Sequence, residues 1–153
     1  GGAFVIKGGL RTQIHSSGQT ELNPTAQTYI DEYFEINRTT FSEKLRNFNT
    51  RYPGSSAVNF ADVASGAVDL ALECTRKNNL EIAIAYGLET ESGAVIVDLD
   101  GVSIGSKKYL EFGQAEHVPI ITAATQKLAQ NLIKHLNASS PYNDNSQIKT
   151  EGV

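Results

Sequence analysis

Residues 51–74 read RYPGSSAVNFADVASGAVDLALEC, and after the polar break TRKNN residues 80–94 continue LEIAIAYGLETESGA. Pro53 and Gly54 stop whatever precedes them, and Ser55 or Ser56 can cap a new helix. Ala57, Val58, Phe60, Ala61, Ala64 and Val68 then recur at helical spacing. Gly66 falls inside that pattern at a cost of about 1 kcal/mol against alanine, which is tolerated where another backbone must approach closely. Leu70 to Cys74 is a short apolar run with Glu73 beside its end, a shape that suits a buried strand carrying a carboxylate at its tip. Open α/β sheets place their ligands at such tips. A second helix of small residues follows the break and closes at Gly93.

Working outward, Val95–Leu99 is a continuous β-branched run that predicts a buried strand, and Asp100-Gly101 is a turn signal. Residues 102–117 are glycine-bearing and irregular, with an extended piece expected at Tyr109–Phe112. Pro119 opens a strand over Ile120–Ala124, and Thr125 caps a last helix whose Leu128, Leu132, Ile133 and Leu136 form one stripe. Past Asn137 the composition turns to Ser, Pro, Asn, Asp and Gly, which predicts a mobile tail over 137–153 behind a domain of residues 1–136. At the other end, Ala3–Ile6 and Leu10–Ile14 flank Lys7-Gly8-Gly9, a β-hairpin signature. Residues 16–28 read as a surface loop and Tyr33–Asn37 as a strand. Thr39 or Thr40 then caps a helix to about Phe48, with Phe41, Leu45 and Phe48 on the face that covers a sheet. This order of elements predicts a mixed α/β domain, a mixed sheet with flanking helices.

With 153 residues, 40% of them hydrophobic, the chain can bury one core without disulfides, and its one cysteine cannot form an internal bridge. Cys74 lies in an apolar run with no histidine near it in sequence, so it reads as a small buried hydrophobe. A net charge of −4 and the lack of a lysine or arginine cluster argue against nucleic acid as the main partner. No apolar run is long enough to span a bilayer, so no membrane partner is expected. The chain starts at Gly1-Gly2 without methionine and without a signal-peptide pattern, which favours a cytoplasmic piece of something longer.

Two acids carry the chemistry that the residues suggest. Glu73 is either a solvated acid at a strand end or a ligand contact. Glu81 is either a first-turn acid stabilised by the helix dipole at about 0.3 to 1 kcal/mol, or a metal ligand. The helix start at Ser55-Ser56 offers free N–H groups to an anion or polyol. His15, His117 and His135 lack metal-ligand spacing, Asp69 reads as a structural cap, and the sequons at Asn37 and Asn137 carry little weight.

Taken together, Arg51, Gly54-Ser55-Ser56-Ala57, Ser65-Gly66-Ala67-Val68-Asp69, Glu73, Leu80-Glu81-Ile82-Ala83 and Glu91-Ser92-Gly93-Ala94 resemble the second half of the inositol monophosphatase family. These are the magnesium-dependent, lithium-sensitive phosphomonoesterases. Gly2-Ala3-Phe4 looks like the family's hairpin, and Ile120–Ala124 with the following helix looks like its last strand and helix. The likeness covers nearly all of residues 1–136 but half of a family member, because the D-P-x-D-G-T loop and the helix glutamate of the first half have no counterpart here. Leu80 and Glu81 stand where the family has tryptophan and aspartate, Ile84 stands for a small residue, and the link from Glu73 to Glu81 is one residue longer.

The resemblance implies the C-terminal half of the alternating α–β–α–β–α sandwich. It implies Gly54, Ser55, Ser56, Ala57 and Glu73 as substrate-binding residues, Glu81 as one ligand to Mg2+, and no catalytic residue in this half. The implied activity of a complete chain is hydrolysis of an inositol or sugar monophosphate, with this fragment inactive alone. The alternatives are a 3′-phosphonucleotide phosphatase, or a degenerate member kept as a binding or assembly module. The implied partners are a small phosphorylated polyol or nucleotide and, as is common in the family, a second copy in a homodimer.

Overall fold

The computed structural model describes residues 1–75, 80–107 and 118–138. Its core is a five-stranded sheet in the order β4-β3-β5-β7-β6, covered on both faces. The strands are β3 (Thr28–Ile30), β4 (Thr50–Arg51), β5 (Leu70–Cys74), β6 (Val95–Asp98) and β7 (Pro119–Ala123). β3 runs parallel to both β4 and β5, while β7 runs antiparallel between β5 and β6, so the sheet is mixed as expected. Every residue of β5 is buried, because it is the central strand and packs on both sides.

Leu70 and Leu72 point to one face, with Ile121, Ala123, Phe41, Leu45 and the stripe Leu128, Leu132 and Leu136 of the last helix. Ala71 points to the other, with Val63, Val68 and Ala94, and beside them Phe60, Ile82, Ala85, Ile96 and Ile120 form a second cluster. That face is covered by α2 (Ser56–Ala64) and α3 (Glu81–Ser92), and the first by α4 (Gln126–Ala138) and the chain between β3 and β4. Parallel neighbours need such crossovers, and α2 is the one that carries the chain from β4 back to β5.

The hairpin forms as read. β1 (Ala3–Lys7) and β2 (Leu10–Ile14) pair from Ala3↔Ile14 to Lys7↔Leu10, and Gly8 and Gly9 turn at φ of 56° and 79°. Thr125 caps α4 through its hydroxyl, which accepts from the Leu128 N–H at 3.1 Å. Cys74 is buried, and Asp69 is structural: its carboxylate accepts from the Ser17 hydroxyl at 2.6 Å and the Gln27 N–H at 2.8 Å.

Three expectations are corrected. The strand expected at Tyr33–Asn37 lies upstream as β3, because Asp31 Oδ1 accepts from the Tyr33 N–H at 3.0 Å and turns the chain out of the sheet. Glu35–Asn37 is instead a single helical turn, α1, continued by a π-type turn at Arg38–Ser42. Thr39 therefore does not cap a helix start, and its hydroxyl donates back to the Glu35 and Ile36 carbonyls. Lastly, α2 ends at Ala64, so Gly66 is not a helix-interior residue. It turns the chain at φ +77°, and a Cβ there would lie 2.9 Å from the His15 carbonyl oxygen. The close backbone approach expected of this glycine is thus real, made by the loop after β2. The extended piece expected at Tyr109–Phe112, His117 and the tail past 138 lie outside the described residues.

Candidate functional site at the carboxyl edge of the parallel strands

β3, β4 and β5 run the same way, so their carboxyl ends share one edge of the sheet. Ile30 leads there into Asp31, Arg51 into the Gly54 turn and the start of α2, and β5 into Glu73, Cys74 and Thr75. α3 begins after β5 at the same edge, and Phe60 of α2 packs against its Ile82 and Ala85. Side chains gathered at such an edge can meet one ligand although they are far apart in sequence.

Gly54 makes the turn into α2 at φ +81°, and nothing lies within 4 Å of where its Cβ would be, so glycine is needed for the backbone and leaves the approach open. Ser55 holds the N-cap position in extended conformation, yet its side chain makes no capping bond. The N–H groups of the first turn are therefore free of a side-chain acceptor. Ser56 does not cap either; its hydroxyl donates to Glu73 Oε2 at 3.0 Å. One turn on, the Asn59 side-chain N–H2 donates to Glu73 Oε1. Glu73 is 1% exposed and Asn59 equally buried, whereas Ser55 and Ser56 are half-buried and Ala57 is exposed. The carboxylate is thus neither an edge acid in solvent nor open to a ligand as it stands. It sits behind the first turn of α2 and ties that turn to β5.

Secondary contacts hold the corner. The Tyr29 hydroxyl on β3 donates to Asp62 Oδ2 of α2 at 3.0 Å, and burial, followed by that carboxylate, raises the phenol above its usual range. The buried Asn37 side chain donates to the Asp31 carbonyl at 2.6 Å and accepts from the Cys74 thiol at 2.8 Å. Asn59 and Asp31 were not singled out by sequence reasoning, and Asn37 was named there as a sequon and a strand end, not for this contact. For Asn59 a signal existed, since it lies three residues after Ser56, one helical turn, beside the buried Phe60.

The structure therefore brings together Gly54, Ser55, Ser56 and Ala57 with Glu73. Glu81 lies on the first turn of α3 with its side chain exposed, at the same edge. Among the described residues no group of three or more His, Cys, Asp or Glu could hold a metal ion. No helix among them is long and apolar enough to cross a membrane.

No protein-family model matches the chain, and no curated protein matches it. Solved structures do match the fold. Inositol monophosphatase from Anabaena superposes with a TM-score of 0.63 at 20% identity, over 87% of this chain and 52% of that one. The extragenic suppressor protein SuhB from Bartonella henselae gives 0.63 at 18% identity, over 90% and 52%. The inositol monophosphatase of Thermotoga maritima gives 0.58 at 20%, over 83% and 46%. The resemblance read from the residues is borne out as a fold: the chain has the mixed α/β architecture of the inositol monophosphatases and spans about half the length of those proteins.

Proposed function

We propose that this chain is the C-terminal half of a magnesium-dependent phosphatase acting on an inositol or sugar monophosphate, and that its share of the pocket is the side that reads the polyol. The observation that carries this is Glu73, set behind the Gly54 turn and the uncapped start of α2 in an inositol-monophosphatase fold. A buried carboxylate accepts hydrogen bonds from hydroxyls and repels phosphate, so it suits the ring of a sugar or inositol rather than its ester. The free N–H groups at the start of α2 add donors for ring oxygens. Magnesium in such enzymes neutralises phosphate oxygens and activates water. Glu81 offers one carboxylate toward it, and the described residues hold no second and third ligand around it. The chain alone should bind polyol weakly and release no phosphate.

The test has two arms. Titration of the chain with myo-inositol 1-phosphate should shift the amide resonances of Gly54–Ala57, and Glu73→Gln should weaken that response; shifts confined to other surfaces overturn the polyol site. A polypeptide extended upstream of Gly1 should release phosphate from inositol or sugar monophosphates only with magnesium and lose this activity on Glu81→Gln. No turnover across inositol, sugar and nucleotide phosphates overturns the enzyme reading. That outcome favours the second reading, a non-catalytic binding module, for which the observation is Leu80-Glu81 in place of Trp-Asp on an exposed first turn.

A further inference from the structure

α3 carries apolar residues on two sides. Ile82 and Ala85 pack beneath it with Phe60, Ile96 and Ile120. Leu80, Ala83, Ile84 and Gly87 fall at i, i+3, i+4 and i+7 on the opposite side, and all four are exposed, Ile84 at 73% and Leu80 at 59%. A helix that is apolar all round belongs in an interior, so this outer stripe is missing its cover. The base of the β1–β2 ribbon is pinned to the far end of the same helix: the Gly2 N–H donates to the Glu91 carboxylate, and the Ser16 N–H to the Ser92 carbonyl at 3.0 Å. On the ribbon face that meets the body, Ala3 is buried and its pair Ile14 half-buried, but Val5, Leu10 and Lys7 further along that face are exposed. The ribbon therefore overhangs the body, with an apolar underside.

The charges on the two surfaces are opposite. Residues 3–14 carry Lys7 and Arg11 and no acid, whereas α3 carries Glu81, Glu89 and Glu91 and no base. Arg11 lies on the other ribbon face, 3.6 Å over the Phe4 ring, so Lys7 is the charge beside Val5 and Leu10. Glu89 is buried and Glu91 holds the ribbon base, which leaves Glu81 as the exposed acid beside Leu80 and Ile84. The lengths also match, since five strand residues span about 17 Å and twelve helical residues about 18 Å. An apolar overhang with a cation and an apolar stripe with an anion, on one molecule, make a self-complementary surface of the kind that closes a two-fold pair. We propose that two copies of this chain pair about a two-fold axis through this surface. Each overhang lies along the outer stripe of α3 in the other copy, Val5 and Leu10 cover Leu80 and Ile84, and Lys7 of one copy faces Glu81 of the other. The pairing belongs to the chain by itself and needs no part of the polyol site.

Sedimentation equilibrium or light scattering on the purified chain tests this. Wild type should show twice the chain mass at concentrations up to about 0.1 mM, where a micromolar contact is saturated. Ile84→Asp, at an exposed position, should keep the wild-type far-ultraviolet circular dichroism and run at the single-chain mass. Lys7→Glu and Glu81→Lys should each weaken the pair about tenfold, because like charges then oppose each other twice per dimer. Mixing these two variants should restore wild-type affinity, since both contacts in the mixed pair again join opposite charges. A wild type that stays single over the whole range overturns the pairing, and the cover of this face then belongs to a longer polypeptide. A dimer that survives Ile84→Asp places the interface elsewhere and overturns it equally. A mixture of Lys7→Glu and Glu81→Lys that binds no better than either alone overturns the arrangement of ribbon on helix.

Discussion

Glu89 sits on α3 in the face formed with Ile82, Ala85 and Ser92, fully buried, and neither carboxyl oxygen has a hydrogen-bond partner. Burial alone pushes its pKa from an ordinary 4.5 to about 8. At neutral pH the folded protein therefore keeps a proton that the unfolded chain gives up. From its ordinary 4.5 to pH 7, at about 1.36 kcal/mol per pH unit, that difference costs about 3 kcal/mol of stability. The sign follows from proton counts. Below about 4.5 both states are protonated and nothing is lost; stability falls as pH rises from there to about 8; above 8 both states are ionised and the loss is constant. Against a marginal total of about 5–15 kcal/mol, one side chain would thus dominate the pH profile.

The perturbation is Glu89→Gln, with Glu89→Leu as an apolar comparison. Urea unfolding followed by far-ultraviolet circular dichroism suits a chain with six tyrosines and no tryptophan. The difference between wild type and Glu89→Gln should move by about 3 kcal/mol between pH 4.5 and 7, with wild type becoming the weaker. Other carboxylates, such as Asp98 held down by Lys107 and the Val102 N–H against the effect of its burial, titrate in both proteins and cancel. Parallel profiles for wild type and Glu89→Gln from pH 5 to 8 would refute the reasoning, since they would mean that Glu89 is hydrated or paired in solution.

Gly66→Ala should lower the melting temperature by several degrees, since φ +77° and a Cβ 2.9 Å from the His15 carbonyl oxygen together cost on the order of 1–3 kcal/mol; an unchanged melt would contradict the packing of that loop. Leu128→Ala, at a fully buried position in the α4 stripe, should cost about 2–5 kcal/mol, seen as a lower urea midpoint at unchanged slope. Cys74, at 3% exposure, should resist a thiol reagent in the native state and react at once in urea; fast native reaction would place it at the surface.

Where periodicity ran long enough, the residues predicted the elements closely. Leu70–Cys74 and Val95–Asp98 are short continuous apolar runs and α4 carries a repeating apolar stripe, all visible in one dimension, while Glu81–Ser92 was legible from its small residues and closing Gly93 although it buries Glu89 and Ser92 beside Ile82 and Ala85. β3 and β4 were illegible for the opposite reason. At three and two residues they are too short to show a period, and their place beside β5 comes from tertiary pairing. Tyr33 and Phe34 misled because aromatic residues suit strands, yet Tyr33 is 73% exposed and stacks edge-on against Phe34 in a turn. The site divides in the same way. Gly54, Ser55, Ser56 and Glu73 were legible through local punctuation and an acid at a strand tip, but the pairing of Ser56 and Asn59 with Glu73 depends on how α2 lies against β5, which no local pattern encodes.

The β1–β2 ribbon leaves Val5, Ile6 and Leu10 from 48% to 71% exposed, and among the described residues it pairs with no further strand. A ribbon of this kind is a template on which any extended chain can lengthen the ladder, and Lys7 and Arg11 are the only charges along it to discourage that. If concentrated solutions of this polypeptide clump, the amino-terminal ribbon, rather than the well-filled sandwich behind it, is where such association would start.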